Sequence, residues 1–216
     1  MRQILANAVR AITLLAASAA CAAEAPAFVL VGLDGKTFFE PEGSRNGPNG
    51  HDAVAILNVG DEARPRLAHT LPLDNSVYGP PTNLRITPDG RLGLVASSVL
   101  MHQEGTVWYA QADDRLHVID LVAVPPRLVE TIRVGRQPSG LAIDRTGARA
   151  LVANREGRSV TLLAIAGTTV RPVATVEVGD EAAAVAFAPD GKRAFVAKNK
   201  AAKIGVLSLD GETMRY

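Results

Sequence analysis

The chain has 216 residues, of which 47% are hydrophobic but only 4% aromatic. This fits one packed domain, or two at most, with a core of aliphatic side chains and Ala. A formal net charge of +1 removes the electrostatic case for nucleic acid or an anionic membrane surface as partner.

Arg2 and Arg10 precede the ten-residue apolar run AITLLAASAA and the small residues CAAEAPA, with no acid before Glu24. That order is a secretory signal. Residues 1–22 are expected to be the signal, and the protein periplasmic or secreted. The run is too short to span a bilayer. Cys21, the sole cysteine, reads as a small residue lost with the signal. A lipoprotein anchor is the alternative, although Ser18 stands where that motif wants Leu.

Beyond the signal, short alternating segments replace any helical period. The first predicted strand is Ala27–Gly32, followed by an insertion over Leu33–His51 and strands at Asp52–Val59 and Arg66–Leu73. Then comes RITPDGRLGLVASS (Arg85–Ser98), and after it a second insertion, Leu100–Asp113. AIDRTGARALVANR (Ala142–Arg155) and AFAPDGKRAFVAKN (Ala186–Asn199) repeat the same phrase. Between those copies, strands are expected at Gly140–Asp144, Ala148–Asn154, Ser159–Ile165 and Pro172–Val178. Pro presets φ in the PDG turn, Asp bonds nearby amides, and Gly accepts positive φ. Gly147 and Gly191 are 44 residues apart, as are Gly135 and Gly179; Gly90 and Gly147 are 57 apart, a gap that the second insertion explains.

Four short antiparallel strands per unit of this length make a β-propeller blade. The predicted fold is therefore an all-β propeller with about four blades: 26–74, 82–135, 136–179 and 180–216. The first blade lacks its innermost strand and the last is incomplete. LVANREGRSVTLLAI and FVAKNKAAKIGVLSL resemble the YVTN-type repeat of YncE-like propellers, similar to those of lactonases and amine dehydrogenase heavy subunits. The resemblance covers residues 26–216. It implies a periplasmic or secreted protein and about seven blades, so the chain reads as the N-terminal part of a longer propeller. If the chain is complete, open sheet edges would favour association with another chain.

In such a fold the B–C and D–A loops share one face, and the PDG turns lie on the other. Asp89 and Asp190 are therefore expected to form turns. Ligand-binding candidates on the loop face are His51, Tyr78, Asn83, His102, Glu104, Trp108, Tyr109, Arg136, Asn154 and Asn199. The competing readings are solvated histidines, a Trp108–Tyr109 pair that pins the second insertion to its blade, and asparagines that bond loop backbone. The pattern contains no nucleophile elbow, phosphate loop or paired-cysteine metal motif. The favoured function is non-catalytic binding of a protein or small ligand. A lactonase-like hydrolase and a subunit of a periplasmic quinoprotein dehydrogenase are the rivals.

Overall fold

The computed structural model describes residues 27–77 and 82–216. The expected signal, Cys21 and Tyr78 lie outside the described residues. Blade 1 has three strands: β1 (Phe28–Leu33), β4 (Ala53–Asn58) and β5 (Arg66–Leu71). Between β1 and β4, part of the first insertion folds into a hairpin of β2 (Thr37–Glu40) and β3 (Gly43–Asn46). Blade 2 runs β6 (Leu84–Ile86), β7 (Leu92–Glu104), β8 (Val107–Asp120) and β9 (Arg127–Arg133). Blade 3 is β10 (Pro138–Ile143), β11 (Arg149–Asn154), β12 (Ser159–Ala166) and β13 (Thr169–Glu177). Blade 4 is β14 (Ala182–Phe187), β15 (Arg193–Lys198), β16 (Lys203–Asp210) and β17 (Thr213–Arg215). Within each sheet the strands are antiparallel and follow chain order. The fold is an all-β propeller whose sheets do not close into a ring.

Alternation along each strand sends successive side chains to opposite sheet faces. Blade 3 therefore turns Leu151, Ala153, Val160 and Leu162 toward blade 4, where all four are fully buried. Blade 2 turns Leu94, Ala96, Leu116 and Val118 toward blade 3, also fully buried. Blade 1 uses Leu30, Val54 and Ile56 against blade 2. Burying an aliphatic side chain of this size contributes about 1.5–3 kcal/mol, so these inter-blade layers are the core. Such cores join blades 1–2, 2–3 and 3–4; none joins blade 4 to blade 1 among the described residues.

The repeated turn has the expected chemistry, with one exchange. Gly90, Gly147 and Gly191 have φ of 72°, 75° and 65°, and each amide donates back to the residue three before it. Asp89 Oδ1 accepts from the Thr87 hydroxyl at 2.6 Å and the Arg91 amide at 3.1 Å, and Asp190 accepts from the Lys192 amide. In the copy without Pro the two residue types trade places: the Thr146 hydroxyl donates to Asp144 at 2.8 Å. The same bond closes the turn from the opposite direction. All three aspartates are turn formers.

Blades 3 and 4 pack backbone to backbone at Gly140, where a Cβ would lie 2.6 Å from the Ala184 Cα and 2.7 Å from the Ala183 carbonyl oxygen. Backbone cannot yield as a side chain can. Gly140→Ala is expected to cost about 1–3 kcal/mol, read as a lower urea midpoint. Gly60→Ala, whose added carbon would meet only the Asn58 side chain at 3.3 Å, is expected to shift the midpoint far less.

Candidate functional site

The second insertion is not a loop. Strands β7 and β8 remain paired through it, from Val99↔Ala112 out to Glu104↔Val107, so it forms a β-hairpin arm. Its pleat divides the candidate residues. His102, Glu104, Val107 and Tyr109 share one face and are exposed; His102 Nε2 lies 3.7 Å from Glu104 Oε1. Trp108 stands on the other face, half-buried.

The first insertion braces that arm. Asn49 Nδ2 donates to the Met101 carbonyl at 2.7 Å, and Asn49 Oδ1 accepts from the Met101 amide at 2.8 Å. One side chain thus continues the ladder like a short strand. Asn46 Nδ2 donates to the Trp108 carbonyl at 3.3 Å. Between Ser44–Pro48 and Thr106–Trp108 lies a cleft of about 460 Å³. Arg45 is its only charged lining residue. Its guanidinium stacks 4.8 Å from the Phe38 ring centroid and pairs with Glu40 at 3.1 Å.

Beneath the insertions lies a chain of buried charges. Lys36 is fully buried, and its three ammonium protons meet three acceptors: Asp52 Oδ2 at 2.9 Å, Asp74 Oδ1 at 3.2 Å and the Val99 carbonyl at 3.1 Å. Asp52 also accepts from the amides of Gly35, Asn75 and Ser76 and from the Ser76 hydroxyl. Asp74 continues to Arg115 at 2.9 Å, and Arg115 to Asp113 at 2.8 Å. Burial pushes the Asp52 carboxyl up, but the Asn75 amide and Lys36 outweigh it and hold the pKa below its ordinary value. Asp74 is likewise low, with burial overcome by Arg115 and Lys36. A lysine with every donor satisfied is a lock, not a nucleophile. It ties the first insertion, the blade 1–2 connection and the base of the arm together. Beside it, burial and then the Arg115 charge lower the pKa of His117. His117 Nδ1 is 2.8 Å from the Thr131 hydroxyl.

The remaining candidates sit elsewhere. His51 is exposed at the end of the first insertion. Asn83 is buried, and its amide donates to the Asn75 and Ala96 carbonyls. Asn154 does not bond loop backbone as expected: it is fully buried and donates to the Ser159 and Thr161 hydroxyls at 3.0 and 2.9 Å. Asn199 is exposed and reaches Glu181, again a side chain in place of backbone. Arg136 pairs with Glu156 at 2.6 Å on the surface. The structure thus assembles the arm residues and leaves Arg136 and Asn199 with a second cluster above blades 3 and 4. There Glu181 receives Lys200 at 2.8 Å and Arg155 at 3.2 Å. Lys200 first, and after it Asn199 and Arg155, outweigh the opposing effect of burial and lower its pKa to about 2. Among the described residues no three His, Cys, Asp or Glu side chains are grouped to hold a metal ion, and no helix is long and apolar enough to cross a membrane.

Lys36, Asn46, Asn49, Asp52, Asp74 and Arg115 were absent from the sequence candidates. Only the DGK turn gave a local signal, since Asp34 Oδ1 accepts from the Lys36 amide at 2.9 Å. Their partners lie in other elements.

Two predictions follow from these charges. Lys36→Met leaves the buried Asp52 without a cation and Asp74 with Arg115 alone, and is expected to cost about 3–5 kcal/mol, read by urea unfolding. Because Glu181 has a lower pKa folded than unfolded, its contribution is present above an unfolded value near 4.5 and disappears as pH falls through about 2. Acid titration of stability should therefore lose part of its slope in that window in Glu181→Gln.

No family model matches this chain, and no curated protein matches it. Solved structures do. The periplasmic gluconolactonase of Pseudomonas aeruginosa superposes with a TM-score of 0.54 at 20% identity, covering 81% of this chain and 49% of that one. Chaetomium thermophilum Sqt1, solved bound to the N-terminus of a ribosomal protein, gives 0.55 at 17% identity, covering 78% and 43%. The Swd1 β-propeller domain of Myceliophteria thermophila gives 0.52 at 13% identity, covering 84% and 54%. The chain spans about half the length of these structures. At such identities the likeness is one of fold, and the fold they share with this chain is the β-propeller.

Proposed function

We propose that this is an exported, YVTN-type propeller that binds a small polar ligand or a peptide segment of a partner protein in the cleft between the first insertion and the β7–β8 arm. The observation that carries the reading is the bracing of two insertions into one rigid unit by Asn49, Asn46 and Lys36. Surface loops that need no geometry are not fixed by a fully buried lysine. A rigid scaffold that holds an aromatic ring beside polar groups favours recognition by preorganisation. The cleft is lined by Trp108, Arg45, Asn46, Ser44 and Thr106 without a carboxylate or imidazole, a composition for binding rather than proton transfer. A lactonase-like hydrolase is the alternative, supported by the likeness to a gluconolactonase.

Trp108 is the only tryptophan of the chain, so its emission reports on the cleft directly. Titration with sugars, sugar lactones and short peptides is expected to give a saturable shift in Trp108 emission with at least one class. Lactone should remain unhydrolysed. Trp108→Ala should abolish binding, measured by calorimetry, without changing the unfolding free energy read from urea by more than about 1 kcal/mol. Lactone turnover that survives Trp108→Ala would replace this reading with a hydrolase acting elsewhere.

A further inference from the structure

The two edges of the β7–β8 arm are treated differently by the rest of the fold. Register fixes which main-chain groups point outward. Met101 gives both its amide and its carbonyl to Asn49, so these groups face away from β8. Opposed residues of an antiparallel pair alternate between exchanging bonds with each other and directing them outward. Gln103↔Trp108, Met101↔Ala110 and Val99↔Ala112 are therefore the outward-bonding pairs. On the β7 edge those groups are filled: Asn49 holds Met101, and the Lys36 ammonium donates to the Val99 carbonyl.

The β8 edge is open. Strand β9 pairs with β8 only between Asp120 and Arg115. The segment after β9 follows as far as Asp113, whose carbonyl accepts from the Gln137 amide. Among the described residues nothing continues that line. Ala110 and Ala112 make no outward hydrogen bond there, and the Trp108 carbonyl accepts only from the Asn46 side chain, at 3.3 Å. An unpaired strand edge is a template for a further strand, and folds commonly blunt such edges with charge or proline. The stretch WYAQA (Trp108–Ala112) contains neither. It lies on the side of β9, the last strand of blade 2. Neighbouring blades pack on sheet faces and leave this edge uncovered, however many blades the ring has.

We propose that the ligand of the cleft is an extended peptide segment of a partner protein, which adds to β8 as a strand along Trp108–Ala112. The inference rests on the cleft reading and narrows it, since Trp108 belongs both to this edge and to the cleft lining. The occupant follows from the shape of the gap. It is five residues long, stopped at one end by Gln137 on Asp113 and at the other by Asn46 on Trp108. A single extended chain fits between such stops; the edge of another sheet, with its own neighbours, does not. Main-chain bonds fix the peptide, and its alternate side chains select it. Peptide residues on the Trp108 face lie beside Ala110 and Ala112, whose methyl groups leave room for a large apolar side chain next to the indole. Those on the other face meet Tyr109 and Gln111, both exposed.

A displayed library of random short peptides, panned on the purified chain, is expected to yield binders with apolar residues at alternate positions. In a selected peptide, N-methylation of alternate amides should weaken binding by about tenfold or more in one phase and little in the other, because only every second residue bonds to β8. Hydrogen exchange should show the Ala110 and Ala112 amides gaining protection in the complex. Ala110→Pro removes an amide that the β7–β8 ladder does not use. It should lower affinity by about tenfold or more and leave the urea midpoint of the free chain close to that of the unaltered protein. The methylation pattern decides the matter where that variant fails to fold. A library without binders, methylation that acts equally in both phases, protection confined to regions away from β8, or a two-chain species formed through β8 would overturn the proposal. Sugars or lactones that shift Trp108 emission while no peptide protects β8 would also overturn it and leave the cleft reading standing. If neither class binds, both fall.

Discussion

The inner strands of a blade in this protein carry apolar residues on both faces, and burying them takes a neighbouring blade on each side. Leu151 and Ala153 point one way from β11, Ala150 and Val152 the other, and all four are fully buried. No blade has a core of its own; each core is a layer shared by two blades. The spacing between blades therefore constrains everything else, and it explains the repeated phrase. Each blade needs the same inner hairpin to present the same side chains at the same height. The Thr–Asp exchange between the Asp89 and Asp144 turns shows that the bond is required, not the residue order.

Polar residues enter the layers under strict terms. Thr161 faces Thr175 across β12 and β13, with their hydroxyls 3.1 Å apart. Exactly one period earlier in register, His117 faces Thr131. The repeat thus keeps a polar pair at one position and varies its members. The blade 1–2 junction goes further and sets Lys36, Asp52, Asp74 and Arg115 beside its apolar core. Charges in such a place are costly to desolvate and contribute little net stability compared with apolar packing. Their return is geometric: they tie together two insertions that have no repeat to position them.

The fold was legible because it rests on local signals repeated several times: PDG turns, alternation and a fixed 44-residue interval. The order of the described blade 1 strands was legible for the same reason, since β1 matches β11 in sequence. The site was legible only as a location. The loss of period at Leu33–His51 and Leu100–Asp113 marked where the loops diverge, but not that the second segment continues its strands as an arm. Nor could sequence show that Asn49 would bond Met101, 52 residues away. Asn83 read as a ligand candidate on a D–A loop and Asn154 as one at a strand end on the loop face. Both are buried and spend their donors inside the protein.

The electrostatics of the loop face narrow what it can recognise. Glu181 is held by Lys200, Arg155 and Asn199, Asp52 and Asp74 by Lys36, and Arg136 by Glu156. These partners hold the carboxyls of Glu181, Asp52 and Asp74 below their ordinary range. The cleft itself is lined by Trp108 beside hydroxyl and amide groups and the Arg45 guanidinium, which is paired with Glu40. Stacking and neutral hydrogen bonds are the interactions such a surface makes at low cost. The same insertions that required buried charge for their placement therefore present, at their outer rim, a cleft lined by Trp108, Asn46, Ser44, Thr106 and Arg45.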